Sequence, residues 1–155
     1  MFNFNGGRKK GSAKLLERAS DAMQARDWPE AALLYAEGLV THPNDVGAWV
    51  QYGHALKEAG DRRQAEEAYR QALALDPSLP DTHLQLGHLL KLQGRLDEAA
   101  ESYAQALSIY HEARNVEGEN RILNSLSKID SPGSKTKRNH GSAWRKFPAL
   151  AVTTE

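Results

Sequence analysis

Small, apolar and polar positions recur along this chain with a period of 34 residues. Laying Val46 to Lys57 over Pro80 to Lys91 pairs Gln51 with Gln85, Gly53 with Gly87, His54 with His88, Leu56 with Leu90 and Lys57 with Lys91. The stretches that follow agree equally well, pairing Gly60 with Gly94, Ala65 with Ala99, Tyr69 with Tyr103, Ala72 with Ala106 and Leu73 with Leu107. Carried back to Ser12, the same frame puts Ala19 at the glycine place, repeats Ala31 and Tyr35, and matches Pro43 to Pro77. The frame divides the chain into units 12–45, 46–79 and 80–113, the first more divergent, as a terminal repeat often is.

Each unit reads as a helix, a turn and a second helix. Gly60 and Gly94 stand where a first helix must end, and a left-handed residue there suits glycine. Asp27 followed by Glu30, and Asp61 followed by Gln64, are capping signals that open second helices. Pro43 and Pro77 close their units. Gly53, Gly87, Ala65 and Ala99 are expected where the two helices of a unit approach closely, and Tyr69 and Tyr103 in the wider gap to a neighbouring unit. Such a unit cannot bury its apolar face alone, so an end cap is needed. Between Val116 and Ile129, Ile122, Leu123, Leu126 and Ile129 recur at helical spacing among Glu119, Arg121, Asn124 and Lys128, which predicts a capping helix within 114–130.

These units resemble the tetratricopeptide repeat. The second carries Trp49, Tyr52, Gly53, Leu56, Ala65, Tyr69, Ala72 and Pro77 in that order, and the third Leu86, Gly87, Leu90, Ala99, Tyr103 and Ala106. Departures are Tyr52 where leucine is usual, His83 at the aromatic place and His111 at the closing proline. The resemblance implies an all-α fold, an α-solenoid of three helix-turn-helix repeats, to which the spacing adds a C-terminal capping helix; the basic composition of 1–11 and 131–155 predicts disordered termini. It also implies a concave groove lined by the first helix of each unit. The groove residues would be Leu16, Ser20 and Met23, then Gln51, His54, Lys57 and Glu58, then Gln85, His88, Lys91 and Leu92. The Lys and Asn set by which some repeats of this family clamp a chaperone's C-terminal carboxylate is absent, since Leu16, Ser20, Gln51 and Gln85 stand at its places.

The phrase Gln-x-x-His-x-x-Lys occurs twice, and spacings of three keep its members on one helix face. Amides can bracket an extended peptide backbone, and ammonium groups favour acidic side chains. The partner expected is therefore a protein or peptide, acidic for preference. His54 and His88 have no second histidine or carboxylate set at metal-ligand spacing, so no metal and no cofactor are expected. Glycine-rich phosphate loops, nucleophile elbows and paired catalytic acids are missing too, which argues against an enzyme.

Charge sharpens the division into parts. The net charge of zero over 155 residues hides 19 acidic against 12 basic side chains in Ser12 to Asp130. The tail from Ser131 to Thr154 has Lys135, Lys137, Arg138, Arg145 and Lys146 and no acid. Without cysteine there is no disulfide or thiolate chemistry, and Met1 to Gly11 has no apolar run of signal or membrane-span length, so a cytoplasmic location is expected. The function expected is a scaffold or adaptor holding an extended peptide or a partner helix in the groove. One alternative is a substrate-recognition fragment of a larger enzyme, because Gly53 to Lys57 and Gly87 to Lys91 resemble repeats that precede bacterial glycosyltransferase domains. Another is attachment to nucleic acid or an anionic membrane through the basic tail, with Trp144 or Phe147 stacking or inserting.

Overall fold

Four helix starts in this chain are made by the same device, a short polar side chain closing on a backbone N–H three residues ahead. Asp27 accepts from the Glu30 N–H at 3.3 Å, Asp45 from Ala48 at 2.9 Å, Asp61 from Gln64 at 3.0 Å and Asn115 from Gly118 at 2.9 Å. Each satisfies one of the donors that a helix leaves open at its first turn. The computed structural model describes residues 5–129, with side chains from Ala13 onward. Among the described residues there are seven helices and no strand: α1 Asn5–Gln24, α2 Trp28–Thr41, α3 Val46–Ala59, α4 Arg62–Leu75, α5 Pro80–Leu92, α6 Leu96–Glu112 and α7 Val116–Ser127.

The chain forms two compact units divided after Pro77. In the first, α1 packs on α2, α2 on α3 and α3 on α4. Ala19, Ala31, Ala55, Ala65 and Ala72 are fully buried there, which lets the helices approach closely, and Tyr69 is the largest side chain wholly removed from water. Trp49 ties the end of one helical hairpin to the start of the next, its indole N–H donating to the Pro43 carbonyl at 2.7 Å. In the second unit, α5 packs on α6 and α6 on α7. Its core is richer in leucine, with Leu84, Leu89, Leu90, Tyr103 and Ile122 at 2 % exposure or less.

The seventh helix buries Ile122 and Leu126 as the spacing predicts, while Leu123 stays 42 % exposed and Ile129 lies buried just beyond the helix end. Burial of Ile122 alone is worth about 2 kcal/mol against the unfolded chain. A polar clamp adds orientation: the Tyr110 hydroxyl of α6 donates to Asp81 of α5 at 2.7 Å, and Arg121 of α7 reaches the same carboxylate oxygen at 3.2 Å.

Helix α1 begins at Asn5, upstream of the repeat frame at Ser12. Residues 1–4 and 130–155, and with them the basic tail, lie outside the described residues.

The turns differ from what the sequence predicts. Gly60 and Gly94 adopt φ of 92° and 78°, as their places demand, but Arg26 and Arg114 adopt 58° and 52° at the other two hairpin turns. All four turns close in one way, the next residue's N–H donating five residues back: Asp27 to Ala22, Asp61 to Leu56, Arg95 to Leu90 and Asn115 to Tyr110, at 2.9–3.0 Å. A side chain in this left-handed region is crowded by its own backbone, at a cost of roughly 1–2 kcal/mol. Arg26→Gly and Arg114→Gly should each raise stability by about 0.5–1 kcal/mol after the extra entropy of an unfolded glycine is counted, read as a higher urea midpoint at constant slope. Gly60→Ala, run alongside, should lower it by about 1 kcal/mol. An Arg26→Gly midpoint at or below that of the parent would refute the account of the turns.

Candidate functional site

In the first unit the side chains of Gln51, His54 and Lys57 share one face of α3, one turn apart. Packing behind that face begins at Gly53. A Cβ placed there would stand 2.7 Å from two carbons of the Tyr69 ring, so the ring of α4 packs against a position that only glycine allows. The seated ring carries its hydroxyl up to His54, where it meets Nδ1 at 3.1 Å, and the two rings stand edge to face with centroids 5.5 Å apart and planes at 78°. His54 is half-buried as a result.

The second unit repeats this construction. A Cβ on Gly87 would lie 2.5 Å from the Tyr103 ring, and the Tyr103 hydroxyl meets His88 Nδ1 at 2.8 Å with centroids 5.4 Å apart and planes at 68°. The tyrosines therefore fill space inside their own helix pairs, against the glycines, where the sequence predicts them in the gap to a neighbour. The signal for this pairing was present in the chain, a tyrosine fifteen residues after each histidine. No local rule of helix formation draws attention to that spacing.

The remaining expected groove residues divide by exposure. Gln51 and Glu58 are exposed, Lys57 is half-buried and pairs with Glu58 at 3.2 Å, and in the second unit Gln85 and Lys91 are half-buried while Leu92 is 59 % exposed. On α1, Ser20 is exposed and Met23 half-buried. Leu16 is a different case. Its side chain covers Gly38 of α2, with Cδ2 2.6 Å from where a Cβ would be, so it packs the first hairpin.

Burial shapes the tyrosines' acidity. Removal from water, helped by the charge of Glu58, pushes Tyr69 well above the usual phenol range. Burial takes Tyr103 up to about 12. Tyr110 also reaches about 12, through burial first and then its bond to Asp81 and that carboxylate's charge, with Arg121 opposing. Among the described residues no group of three or more His, Asp or Glu side chains could hold a metal ion, and no helix is long and apolar enough to cross a membrane.

The family model of the cilia and flagella-associated protein 70 middle TPR-like domain matches residues 15–144. This chain belongs to that family. The match of the middle TPR-like domain runs past Ile129 to Trp144, so it takes in part of the segment that the sequence assigns to the tail. Solved structures of tetratricopeptide proteins share the fold. The type III secretion translocator chaperone SycD of Yersinia enterocolitica is 19 % identical, with 76 % of this chain and 81 % of that one covered at a TM-score of 0.70. PcrH, in complex with the chaperone binding region of PopD, is 16 % identical over 78 % of this chain and 92 % of that one at 0.72. The TPR2B domain of yeast Sti1, solved as a complex with pHsp70, is 18 % identical over 76 % and 94 % at 0.70. No curated protein matches the chain.

The raised tyrosines make a pH test of this packing. In the unfolded chain a phenol titrates at its ordinary 10.0, whereas in the fold Tyr103 and Tyr110 hold their protons to about 12. The stability they contribute is complete below pH 10 and is lost as pH rises from there through 12. Urea midpoints should fall steadily above about pH 10, and Tyr103→Phe should make that fall shallower. A midpoint flat over the same range would contradict the burial of these hydroxyls.

Proposed function

We propose that this chain is a non-enzymatic protein-interaction scaffold that takes an extended peptide on the first-helix faces of its repeats. The observation that carries the reading is the doubled Gln-His-Lys face, built in both units on the same glycine, tyrosine and histidine. Framework residues already satisfy each other behind the face, so duplication of the polar residues in front of it asks for a purpose outside the core. The peptide-bearing relatives support it: PcrH holds the chaperone binding region of PopD, SycD a peptide of the translocator YopD, and the first repeat domain of RPAP3 the HSP90 peptide SRMEEVD.

The chemistry of such a ligand follows from the side chains. Gln51 and Gln85 can donate to and accept from an extended backbone at once. Lys57 is engaged by Glu58 at 3.2 Å, and a ligand carboxylate would compete with Glu58 for it. Leu92, exposed at the end of α5, offers an apolar contact beside Lys91.

The test uses peptides selected by the protein from a random display library. Replacing Gln51, Lys57, Gln85 and Lys91 together with alanine should weaken a selected peptide about tenfold or more, equivalent to about 1.4 kcal/mol, with unchanged helical circular dichroism. The histidines are left in place, since they belong to the packing. Retained affinity in the quadruple variant would remove the first-helix faces as the binding surface.

A further inference from the structure

Helix α2 turns one side to the core and another to solvent. Ala31, Ala32, Leu34, Tyr35, Gly38 and Leu39 are buried, while Pro29, Leu33 and Val40 are exposed and Ala36 is half-buried. Leu33 keeps 55 % of its surface accessible and Val40 82 %. Steps of four, three and four set Pro29, Leu33, Ala36 and Val40 in one row along the helix. Single exposed apolar side chains are ordinary, but a row at this spacing is the seam through which two helices pair. The other repeats show that the framework does not need it. One period on, the four places hold Arg63, Glu67, Arg70 and Ala74 of α4, and a further period on Asp97, Glu101, Ala104 and Ser108 of α6. Arg63 pairs with Glu67 at 3.9 Å and Arg70 with Glu66 at 3.0 Å, as residues of a solvated helix face do.

Charge lies along one edge of this row. Glu30 and Glu37 are the only charged residues of α2, and their places on the helix put both on the same side of Leu33 and Val40. Arg18 of α1 meets Glu30 at 3.5 Å, and Arg26 stands just ahead of the helix. Glu37 is exposed, and among the described residues its carboxylate has no hydrogen bond or ion pair. Paired antiparallel with a copy of itself, α2 would set its carboxylates along the same edge with no base of either helix between them. A helix that brings a base to that edge meets Glu37 without this repulsion. We propose that the solvent side of α2 is an interaction surface separate from the first-helix faces, and that its partner is an amphipathic helix whose apolar seam is flanked by lysine or arginine where it meets Glu37. Leu33 and Val40 are the anchors, and Ala36 between them leaves room for a larger side chain of the partner.

Two synthetic helical peptides test this against the full chain, both with leucine at the seam positions, one flanked by lysine and the other by glutamate. In fluorescence anisotropy, with the labelled peptides kept dilute, the lysine-flanked one should bind at least about threefold tighter. Leu33→Glu with Val40→Ser takes residue types that α4 and α6 already carry at those places, and should weaken the lysine-flanked peptide about tenfold or more with unchanged helical circular dichroism. Glu37→Lys, on the exposed edge, should reverse the preference between the two peptides.

Equal binding of the two peptides by the parent protein, or a preference that Glu37→Lys does not move, overturns the basic partner. Undiminished binding by the Leu33→Glu and Val40→Ser variant overturns the surface itself. Self-association of the parent in sedimentation, abolished by that variant, would give the row to a second copy of the chain. Tighter peptide binding after Trp144→Ser with Phe147→Ser would give it to the chain's own basic tail, and either result overturns the proposed partner. Alanine at Gln51, Lys57, Gln85 and Lys91 should leave the lysine-flanked peptide bound as before, so the first-helix reading stands or falls separately.

Discussion

A tyrosine ring lying on a glycine is the contact from which most of this structure follows. It occurs with Tyr69 on Gly53, Tyr103 on Gly87 and, between the last two helices, Tyr110 on Gly118. In each case a single methyl group on the glycine would collide with ring carbons, so the helices come this close only because glycine stands there. Each ring, held against its glycine, brings its hydroxyl to one place. For the first two rings that place is a histidine, and for the third it is Asp81.

The helix ends make the second constraint. Every hairpin turn reverses through one left-handed residue and reopens under a polar cap or, at α6, under Arg95, whose side chain bonds Glu98 instead of a backbone N–H. Two of the four left-handed positions are arginine, and the fold bears that strain because the bond five residues back and the packing of the flanking helices hold the turn closed. The clamp of Asp81, Tyr110 and Arg121 orients α7 through an interaction that spans elements distant in sequence.

These constraints leave few positions for ligand recognition. Residues such as Gly53, Tyr69 and His54 answer to the core, while Gln51 is exposed and Lys57, Gln85 and Lys91 are half-buried. Membership of the middle TPR-like family accounts for the framework and says little of the ligand, because the same framework supports different partners through changes at the outward positions.

The repeat period, the helix-turn-helix units, the glycines at Gly60 and Gly94 and the caps at Asp27 and Asp61 are legible in the sequence because each is a local requirement. A left-handed turn, a helix start or an amphipathic face is satisfied by residues within one or two turns of each other. The seventh helix was legible for the same reason, apart from Leu123, whose exposure depends on how α7 lies against α6. What sequence alone could not supply were contacts that exist only after helices meet: Leu16 spent on Gly38, arginines accepted at left-handed turns, and imidazoles joined to phenols fifteen residues away. The spacing of His54, Lys57, His88 and Lys91 on their helices was determined by the chain. Which nitrogen of each histidine faces the core was decided by the tertiary structure, because only there does a buried hydroxyl need an acceptor.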